Sequence, residues 1–299
     1  MSAVDVHVLE TPACILGEGP FWDADRSRLS WVDIDGSRLL WREQSGAVQT
    51  IQVNASALSA AFPTIDGWLL VMDHGFGFHS PTQGLVTLEQ PEAGMGTRLR
   101  MNDAACDPSG RLWAGSMSIS GNEPLGSLLR MGLDGSISRV VVGLTVANGM
   151  GWSPDGMRFY LVDSVPGLLW SWRFEPDEGT LTERCLVSDN LGSGIPDGLA
   201  VDEEGYLWIA FFGSGRIRRF SPTGSLATEI QLPLRFPTSV CFGDPGLDTL
   251  FVTSAQGPQP ESHAGQLLAL DPSVSGLPTH SFGGLPIPPS APSTKAGQT

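Results

Sequence analysis

The chain has 299 residues and a formal net charge of −15 at pH 7, from 32 acidic and 17 basic side chains. Such an acidic chain repels a phosphate backbone, which argues against a nucleic-acid partner. Hydrophobic residues make up 41% of the sequence, enough for a globular core, yet no stretch has the length of a membrane span. We therefore expect neither a nucleic-acid nor a membrane partner.

The N-terminal residues predict one strand and no secretion signal. Residues Val4 to Leu9 alternate polar and apolar side chains, and this strand is expected to complete the last sheet and hide its edge. The N-terminus lacks the basic stretch and apolar run of a signal peptide. The four cysteines are widely spaced and form no C-x-x-C pair. These features predict a cytoplasmic protein with reduced cysteines.

Six similar polar turns recur along the chain, spaced by 41 to 49 residues. Their first residues are Asp23, Thr64, Asp107, Ser153, Asp202 and Gly243. Each turn precedes a short apolar or aromatic strand, such as Tyr206-Leu-Trp-Ile-Ala. A repeat of this length is typical of propellers and solenoids, and frequent turns without a helical apolar stripe indicate an all-β chain. The prediction is an all-β fold, a six-bladed β-propeller with a central channel.

The repeat also predicts the domain organisation. The length would allow two average domains, but all blades share one closed array of sheets, so residues 1–282 are expected to form a single propeller domain. Residues 283–299 are rich in Pro, Ser and Gly and can bury little apolar surface. This tail is therefore expected to be disordered.

One polar residue stands five positions before each turn. These six residues, called the ring residues below, are Glu18, Ser59, Asn102, Asn148, Asp197 and Thr238. In a propeller, equivalent positions of successive blades face one another near the axis. The ring therefore brings two carboxylates and two amides together, which indicates a functional site.

Three ring residues, Glu18, Asn148 and Asp197, are predicted to bind one divalent cation. Their carboxylate and amide oxygens are ligands that hard divalent cations prefer, and two carboxylates match the charge of one such ion. Without a cation the two carboxylates would repel, and one would be driven to hold a proton. Each of the three has a glycine beside it, which suits backbone that turns sharply at a bound ion.

The sequence contains no motif for several other kinds of catalysis. There is no G-x-S-x-G nucleophile elbow, no H-E-x-x-H zinc helix and no Walker or dinucleotide glycine loop. The five histidines show no clustered spacing, which disfavours a histidine-rich zinc site. Neither covalent catalysis nor nucleotide chemistry is indicated.

Six stretches of the sequence match one known family. They are Leu16–Trp22, Arg100–Met117, Asn148–Gly156, Tyr160–Ser164, Pro196–Trp208 and Phe242–Thr253. Over about residues 10–270 the chain resembles the SMP-30/gluconolactonase/luciferin-regenerating-enzyme family, which includes regucalcin and bacterial sugar lactonases. The resemblance implies a six-bladed propeller with one divalent metal at the mouth of its channel, held by Glu18, Asn148 and Asp197. An oxygen-rich site of this kind takes Ca, Zn, Mn or Mg.

The resemblance also implies substrate-binding residues. Asn102 is similar to the family's substrate-side asparagine near the metal, and Arg100 resembles the arginine that contacts substrate hydroxyls. Glu123 is similar to a glutamate that precedes a Gly-x-Leu-Tyr strand, although here the strand reads Gly126-Ser-Leu-Leu-Arg. Asp103, next to Asn102, is interpreted as a residue that orients loop backbone.

The implied activity is metal-assisted hydrolysis of a sugar (aldono-) lactone to its aldonic acid. The small-molecule lactone is the expected partner. Asp197 is the first candidate for the general base that takes the proton of the attacking water, and Asn102 is the second residue placed at the catalytic centre. Arg100, Asn102 and Glu123 are expected to bind the hydroxyl groups of the sugar.

Two alternatives stay open at this point. The first is a related metal-dependent esterase or lactonase that acts on non-sugar lactones or phosphotriesters, with a more apolar pocket lined by Phe76, Phe78, Phe211 and Phe212. The second is a non-enzymatic calcium-binding propeller, which the fold alone does not exclude. A panel of aldonolactones and aryl esters separates the first alternative from the sugar lactonase.

Overall fold

A computed structural model describes residues 4–284 of the chain and confirms the six-bladed β-propeller. Each blade is one four-stranded antiparallel sheet whose strands follow one another in sequence, except in the last blade. The predicted tail of residues 283–299 lies mostly outside the described residues, since only Gly283 and Gly284 belong to them. Within residues 4–284 no helix is both long and apolar enough to cross a bilayer.

The first three blades contain twelve strands and one short helix. Blade 1 consists of Gly17–Asp23, Arg28–Asp33, Arg38–Arg42 and Val48–Gln52. Blade 2 consists of Leu58–Pro63, Trp68–Met72, Gly75–Ser80 and Gly84–Thr87. Blade 3 consists of Leu99–Cys106, Leu112–Ser118, Gly126–Met131 and Ile137–Leu144. A 3-10 helix, Ala93–Arg98, leads into the first strand of blade 3.

The last three blades contain the other twelve strands. Blade 4 consists of Ala147–Trp152, Arg158–Asp163, Leu168–Glu175 and Thr180–Ser188. Blade 5 consists of Ile195–Val201, Leu207–Phe212, Arg216–Phe220 and Leu226–Gln231. Blade 6 consists of Pro237–Gly243, Thr249–Ser254, Leu268–Leu270 and the N-terminal strand Val6–Val8. The first strand of blades 1 to 5, and Pro237–Gly243 in blade 6, is called the inner strand below.

The N-terminal strand closes the propeller. Val6 pairs with Leu270 and Val8 with Leu268, so the two ends of the chain share blade 6. This confirms the prediction that residues 4–9 supply a strand to the last sheet. The pairing covers an edge that would otherwise present unpaired backbone groups.

Two of the predicted turns are held by buried aspartates that bind the next strand. Asp107 accepts hydrogen bonds from the backbone N–H of Arg111 at 3.0 Å and from the Trp113 indole at 2.9 Å, and it forms an ion pair with the Arg111 guanidinium at 2.7 Å. Asp202 repeats the arrangement in blade 5, where it accepts from the Trp208 indole at 2.9 Å. The fully buried tryptophan beside each aspartate explains the Leu-Trp pattern that follows these turns.

The chain after blade 6 runs across the end of the channel at which the six turns lie. This stretch, residues 275–283, is called the closing segment. Its backbone N–H groups bind blades 5, 6 and 3 through bonds of Leu277 to Val201, Gly276 to Leu247 and Gly283 to Gly110. The Thr279 hydroxyl donates to the carbonyl of Trp22 in blade 1 at 2.5 Å. Phe282 is buried in the core formed by the first three blades. The turn end of the channel is therefore covered by the chain itself.

Removal of one turn aspartate should destabilise the whole propeller. Asp107→Ala leaves the Arg111 charge and the Trp113 N–H buried without their partner, so we expect the free energy of unfolding to fall by about 3–5 kcal/mol. Urea unfolding followed by tryptophan fluorescence measures this change. Asp134→Ala, in an exposed turn of blade 3, is the control and should cost less than about 1 kcal/mol. Equal losses of unfolding free energy in Asp107→Ala and Asp134→Ala would contradict the stabilising role given to Asp107.

Candidate metal and substrate site

A β-bulge interrupts every inner strand at its ring residue. The pairing of each inner strand with the second strand shifts register between Glu18 and Phe21, Leu58 and Ala60, Met101 and Ala104, Ala147 and Met150, Pro196 and Leu199, and Pro237 and Val240. A bulge bends a strand and turns the direction of its side chains. The bulge frees the ring position from the regular ladder in five blades, so its side chain can leave the sheet. In blade 1 the shift follows Glu18, which still pairs with Val32.

Three ring side chains use this freedom to bind the next blade. Each donates a hydrogen bond to the carbonyl of the residue that precedes the next ring residue: Ser59 to Met101 at 2.8 Å, Asn102 to Ala147 at 3.0 Å, and Thr238 to Gly17. All three donors are buried. These bonds join blade 2 to blade 3, blade 3 to blade 4, and blade 6 to blade 1.

The other three ring residues are the predicted metal ligands, and none of them makes this bond. Ionised Glu18 and Asp197 have no hydrogen to donate. Asn148 donates instead to Oδ1 of Asp197 through its Nδ2. Glu18 Oε2 accepts the N–H of Gly19 at 3.0 Å, a bond within its own strand. The structure thus brings Asn148 and Asp197 into direct contact and leaves carboxylate oxygens of two blades unengaged by the neighbouring backbone.

The glycines beside the ligands permit a close approach of the inner strands. A Cβ atom at Gly149 would lie 2.4 Å from the backbone N of Leu199, and one at Gly198 would lie 2.0 Å from Oγ of Ser239. Gly19 has a φ of 53°, a conformation that favours glycine. Inner strands of a propeller crowd together at the channel, so small residues are expected at these positions. In the structure, Gly149 and Gly198 let adjacent blades touch at the ring.

The ring carboxylates are buried and repel one another. Glu18 is 7% exposed and Asp197 is 8% exposed. Burial raises the pKa of Glu18 well above its usual value, and the negative charges of Asp197 and Asp103 raise it further. Burial and the charge of Asp103 likewise raise the pKa of Asp197, against the opposing effects of its bond from Asn148 and the charge of Arg100. Without a counter-ion, protons are held at this site more tightly than at ordinary carboxyls.

The donor set fits a hard divalent cation. Oδ1 of Asn148 is buried and has no hydrogen-bond partner within the described part of the chain, which is an unfavourable state for a buried polar atom. The Asn148 side chain contacts the Asp197 carboxylate, whose charge acts in turn on Glu18. Oxygen donors of this type suit Ca²⁺, Mg²⁺ or Mn²⁺. Between residues 4 and 284, no three His, Cys, Asp or Glu side chains are arranged to hold a metal ion. A cation here therefore depends on the amide oxygen as well as the carboxylates.

Arg100 and Asn102 form one unit next to these carboxylates. Nη1 of Arg100 donates to the carbonyl of Met101 at 2.7 Å and to Oδ1 of Asn102 at 3.1 Å. Nε and Nη2 of Arg100 have no hydrogen-bond acceptor among the described residues. Asn102 is engaged at both ends, since its Nδ2 holds blade 4. Its role in the fold is thus visible, and its contact with substrate stays a prediction.

Glu123 binds residues outside the ring in the structure. Its Oε1 forms an ion pair with Nη2 of Arg98 at 2.8 Å, and its side chain is 46% exposed. No hydrogen bond joins Glu123 to a ring residue within residues 4–284. Its predicted contact with substrate stays a prediction.

Asp103 was assigned only a backbone-orienting role from the sequence. It does accept the N–H of Ala104 at 2.8 Å, as that role requires. It is also buried, its pKa is raised to about 6 by burial, and its charge acts on both Glu18 and Asp197. Its position next to a ring residue was the available signal in the sequence, but an aspartate that only orients a turn has the same local sequence.

The apolar pocket of the esterase alternative is not formed by the phenylalanines proposed for it. Phe76 and Phe211 have no exposed surface and pack in the cores between blades, and Phe78 is buried as well. Only Phe212 is partly exposed, with its ring 5.0 Å from that of Phe236. That expectation was wrong because aromatic residues of short strands fill the space between blades.

A cavity of about 400 Å³ lies between the ring and the closing segment. Its walls include Phe21, Phe62 and Trp152, its ring end includes Asp103, and residues 277–280 form its other end. None of the predicted site residues lines it. The candidate site therefore faces the opposite end of the channel, where the inner strands begin.

Comparison with known proteins identifies the family. A sequence profile described as SMP-30/Gluconolactonase/LRE-like region matches residues 16–256. The chain belongs to this family. It is 31% identical over 286 residues to pentonolactonase XacC of Haloferax volcanii, covering 91% of this chain and 96% of that protein. It is 33% identical over 254 residues to 6-deoxy-6-sulfogluconolactonase of Pseudomonas putida, covering 81% and 84%.

The solved structures of the family confirm the architecture. A luciferin-regenerating enzyme superposes with a TM-score of 0.87 at 24% sequence identity, over 95% of this chain and 100% of that one. At this identity the match shows the fold. Membership of the family, predicted from six sequence stretches, is thus supported by both sequence and architecture.

The raised pKa values predict a pH-dependent effect of cations on stability. A carboxyl whose folded-state pKa is raised stabilises the folded state at low pH, and this contribution is lost as pH rises through that pKa. For Asp103 the window runs from about 4 to about 6, and Glu18 and Asp197 shift in the same direction. A bound cation offsets this loss. Adding roughly 1 mM CaCl2 or MnCl2 to metal-free protein should therefore raise the melting temperature, and this rise should be larger at pH 7 than at pH 4.

Differential scanning calorimetry at several pH values measures this rise. The comparison of metal-free and cation-loaded protein at each pH cancels the effects of the ion pairs elsewhere in the fold. An equal rise at pH 4 and pH 7 would contradict the electrostatic account of the ring.

Proposed function

We propose that this protein hydrolyses a sugar lactone to the corresponding aldonic acid, with one divalent cation held by Glu18, Asn148 and Asp197. The proposal rests on one observation: the buried Oδ1 of Asn148 has no hydrogen-bond partner among the described residues, although the Asn148 side chain contacts the buried ring carboxylate of Asp197. Relatives at 31% and 33% identity, each aligned over most of the chain, are named as a pentonolactonase and a 6-deoxy-6-sulfogluconolactonase. These names support lactone hydrolysis as the reaction class.

A bound divalent cation supplies Lewis-acid polarisation of the lactone carbonyl. The chain supplies the proton transfers. Asn148 holds Oδ1 of Asp197 in a hydrogen bond, which fixes the carboxylate and leaves its Oδ2 to accept a proton from the attacking water. The water oxygen bonds to the carbonyl carbon, the ring C–O bond breaks, and Asp197 returns the proton to the departing ring oxygen. The product is an open-chain hydroxy acid.

Arg100 is proposed to bind the sugar hydroxyls. Its Nη1 is fixed by Met101 and Asn102, so the guanidinium is oriented before substrate arrives. Its other nitrogens supply donors in a fixed plane. Asn102 positions Arg100 through the same bond, and Glu123 is the more distant third member of the proposed substrate-binding set. A sugar requires several such partners because each buried hydroxyl left unpaired costs about 1–3 kcal/mol.

The function is tested with a substrate panel in a pH-stat. Metal-stripped protein is given five- and six-membered aldonolactones, an aryl ester and a phosphotriester, and Ca²⁺, Mg²⁺, Mn²⁺ and Zn²⁺ are added back one at a time. We expect acid release from at least one aldonolactone, dependent on the cation, at a rate well above that for the ester or phosphotriester. Absence of lactone hydrolysis with every cation would overturn the proposal.

Asp197→Asn tests the role of the general base. The amide keeps the size of the side chain but cannot take a proton from water, so kcat should fall by about 10²–10⁴-fold. Initial rates on the preferred lactone, measured with saturating cation, give this ratio. Asp189→Asn is the matched control, because Asp189 is exposed and lies in the loop before the same strand. Wild-type kcat in Asp197→Asn at full cation occupancy would exclude Asp197 as the base.

A further inference from the structure

Nine carboxylates are buried within the described part of the chain. Five of them contact an arginine at 2.6–3.3 Å: Asp23, Asp33, Glu92, Asp107 and Asp202. Asp163 instead accepts the backbone N–H groups of Thr145 and Val146. Elsewhere in this protein, therefore, a buried carboxylate is compensated by an arginine or by backbone donors.

The remaining three buried carboxylates are Glu18, Asp103 and Asp197. None of them has a basic group within 4.0 Å among residues 4–284. Each accepts one short hydrogen bond, from Gly19, Ala104 and Asn148 respectively. Uncompensated buried charges are costly, so three of them at one level of the channel indicate a missing positive charge.

The three carboxylates lie at the level of the ring residues in the channel. Glu18 and Asp197 are ring residues, and Asp103 follows the ring residue Asn102 within the same bulge. Asp103 and Gly19, which binds the Glu18 carboxylate, both line the ring end of the cavity. The mutual effects of the charges agree with this placement, because Asp103 raises the pKa of both Glu18 and Asp197.

One cation of the chain faces this group. Arg100 lowers the pKa of Glu18 and of Asp197, yet it forms no ion pair within residues 4–284, since its Nη1 is held by Met101 and Asn102. Asp35 also faces Arg100 but is exposed, so solvent screens its charge. Three buried negative charges and one positive charge leave a net charge of −2.

We propose that Asp103 is the third anionic residue of the cation centre and sets its charge so that one divalent ion, together with Arg100, neutralises it. Asp103 is a positioning residue that acts through its charge, because Glu18, Asp103 and Asp197 are not arranged as a three-carboxylate metal site. The inference rests on the proposed function only in assuming that a cation binds at Glu18, Asn148 and Asp197. It adds a residue that neither the ring pattern nor the family resemblance placed at the centre.

Asp103→Asn tests the proposal because it should raise the stability of the metal-free protein and lower its affinity for cations. The amide still accepts the Ala104 N–H but removes one negative charge from the group. In metal-free protein we expect a higher melting temperature, since repulsion among the carboxylates is relieved. Titration calorimetry with CaCl2 and with MnCl2 should show affinity weaker by about tenfold or more, since charges this close interact strongly in a buried site. A residue that only shaped the loop would lower both stability and affinity.

Three further variants control the interpretation. Asp103→Glu keeps the charge and should retain affinity within about threefold of wild type. Asp163→Asn alters a buried carboxylate that binds backbone outside the ring, so it should lower the melting temperature without changing cation affinity. Arg100→Gln changes the net charge of the group from two to three negative units. It should therefore bind divalent cations about tenfold more tightly than the wild type. Its melting temperature without metal should be lower.

The outcomes separate this inference from the proposed function. Unchanged affinity in Asp103→Asn, in a protein that still binds cations when wild type, overturns the role of Asp103 alone. Failure of the wild-type protein to bind any divalent cation overturns the metal centre itself. If Asp103→Asn does not fold, the cation affinity of Arg100→Gln tests the inference instead. Weaker cation binding by Arg100→Gln than by the wild type overturns the inference.

Discussion

The hydrogen bond from a ring side chain to the inner strand of the next blade is the interaction on which the site depends. It requires a donor at the ring position, and Ser59, Asn102 and Thr238 provide one. A propeller with a hydrogen-bond donor of this kind at all six ring positions would form the bond at every junction between blades. It would then have no carboxylate oxygens at the ring to bind a cation. Glu18 and Asp197 do not form this bond to the next blade, and Asn148 donates to the Asp197 side chain instead of to backbone. The proposed cation site thus coincides with the junctions where these bonds are absent or redirected.

This division has an energetic cost that the surrounding structure must offset. The two carboxylates lose a junction bond and are also removed from water. The compensation lies in the rest of the blades: paired turn aspartates, fully buried tryptophans beside them, and close backbone contact at Gly149 and Gly198. Marginally stable proteins commonly tolerate such unfavourable groups at functional sites when the remaining packing is good.

The repeat made most of the fold predictable from the sequence. Turns spaced at regular intervals gave the number of blades, and equivalent positions identified the ring, because a closed array forces equivalent residues toward one axis. The strand at Val6–Val8 was predictable for a related reason, since an open edge needs a partner. The bulges were not predictable, because they arise from pairing between strands and leave no fixed sequence mark. Asp103 and the burial of Phe76 and Phe211 were missed for the same reason: local sequence does not say which side of a strand faces a neighbour.

The closure of blade 6 by the N-terminal strand has a consequence for how the protein is made. Val6–Val8 leaves the ribosome before blades 1 to 5, whereas its partner Leu268–Leu270 leaves it after them. At about 5–20 residues per second, the early strand waits roughly 15 to 50 seconds for its partner. During that time five blades can assemble into an open arc whose two terminal sheets face solvent. The closure of blade 6 is therefore the last pairing that the propeller can complete during synthesis.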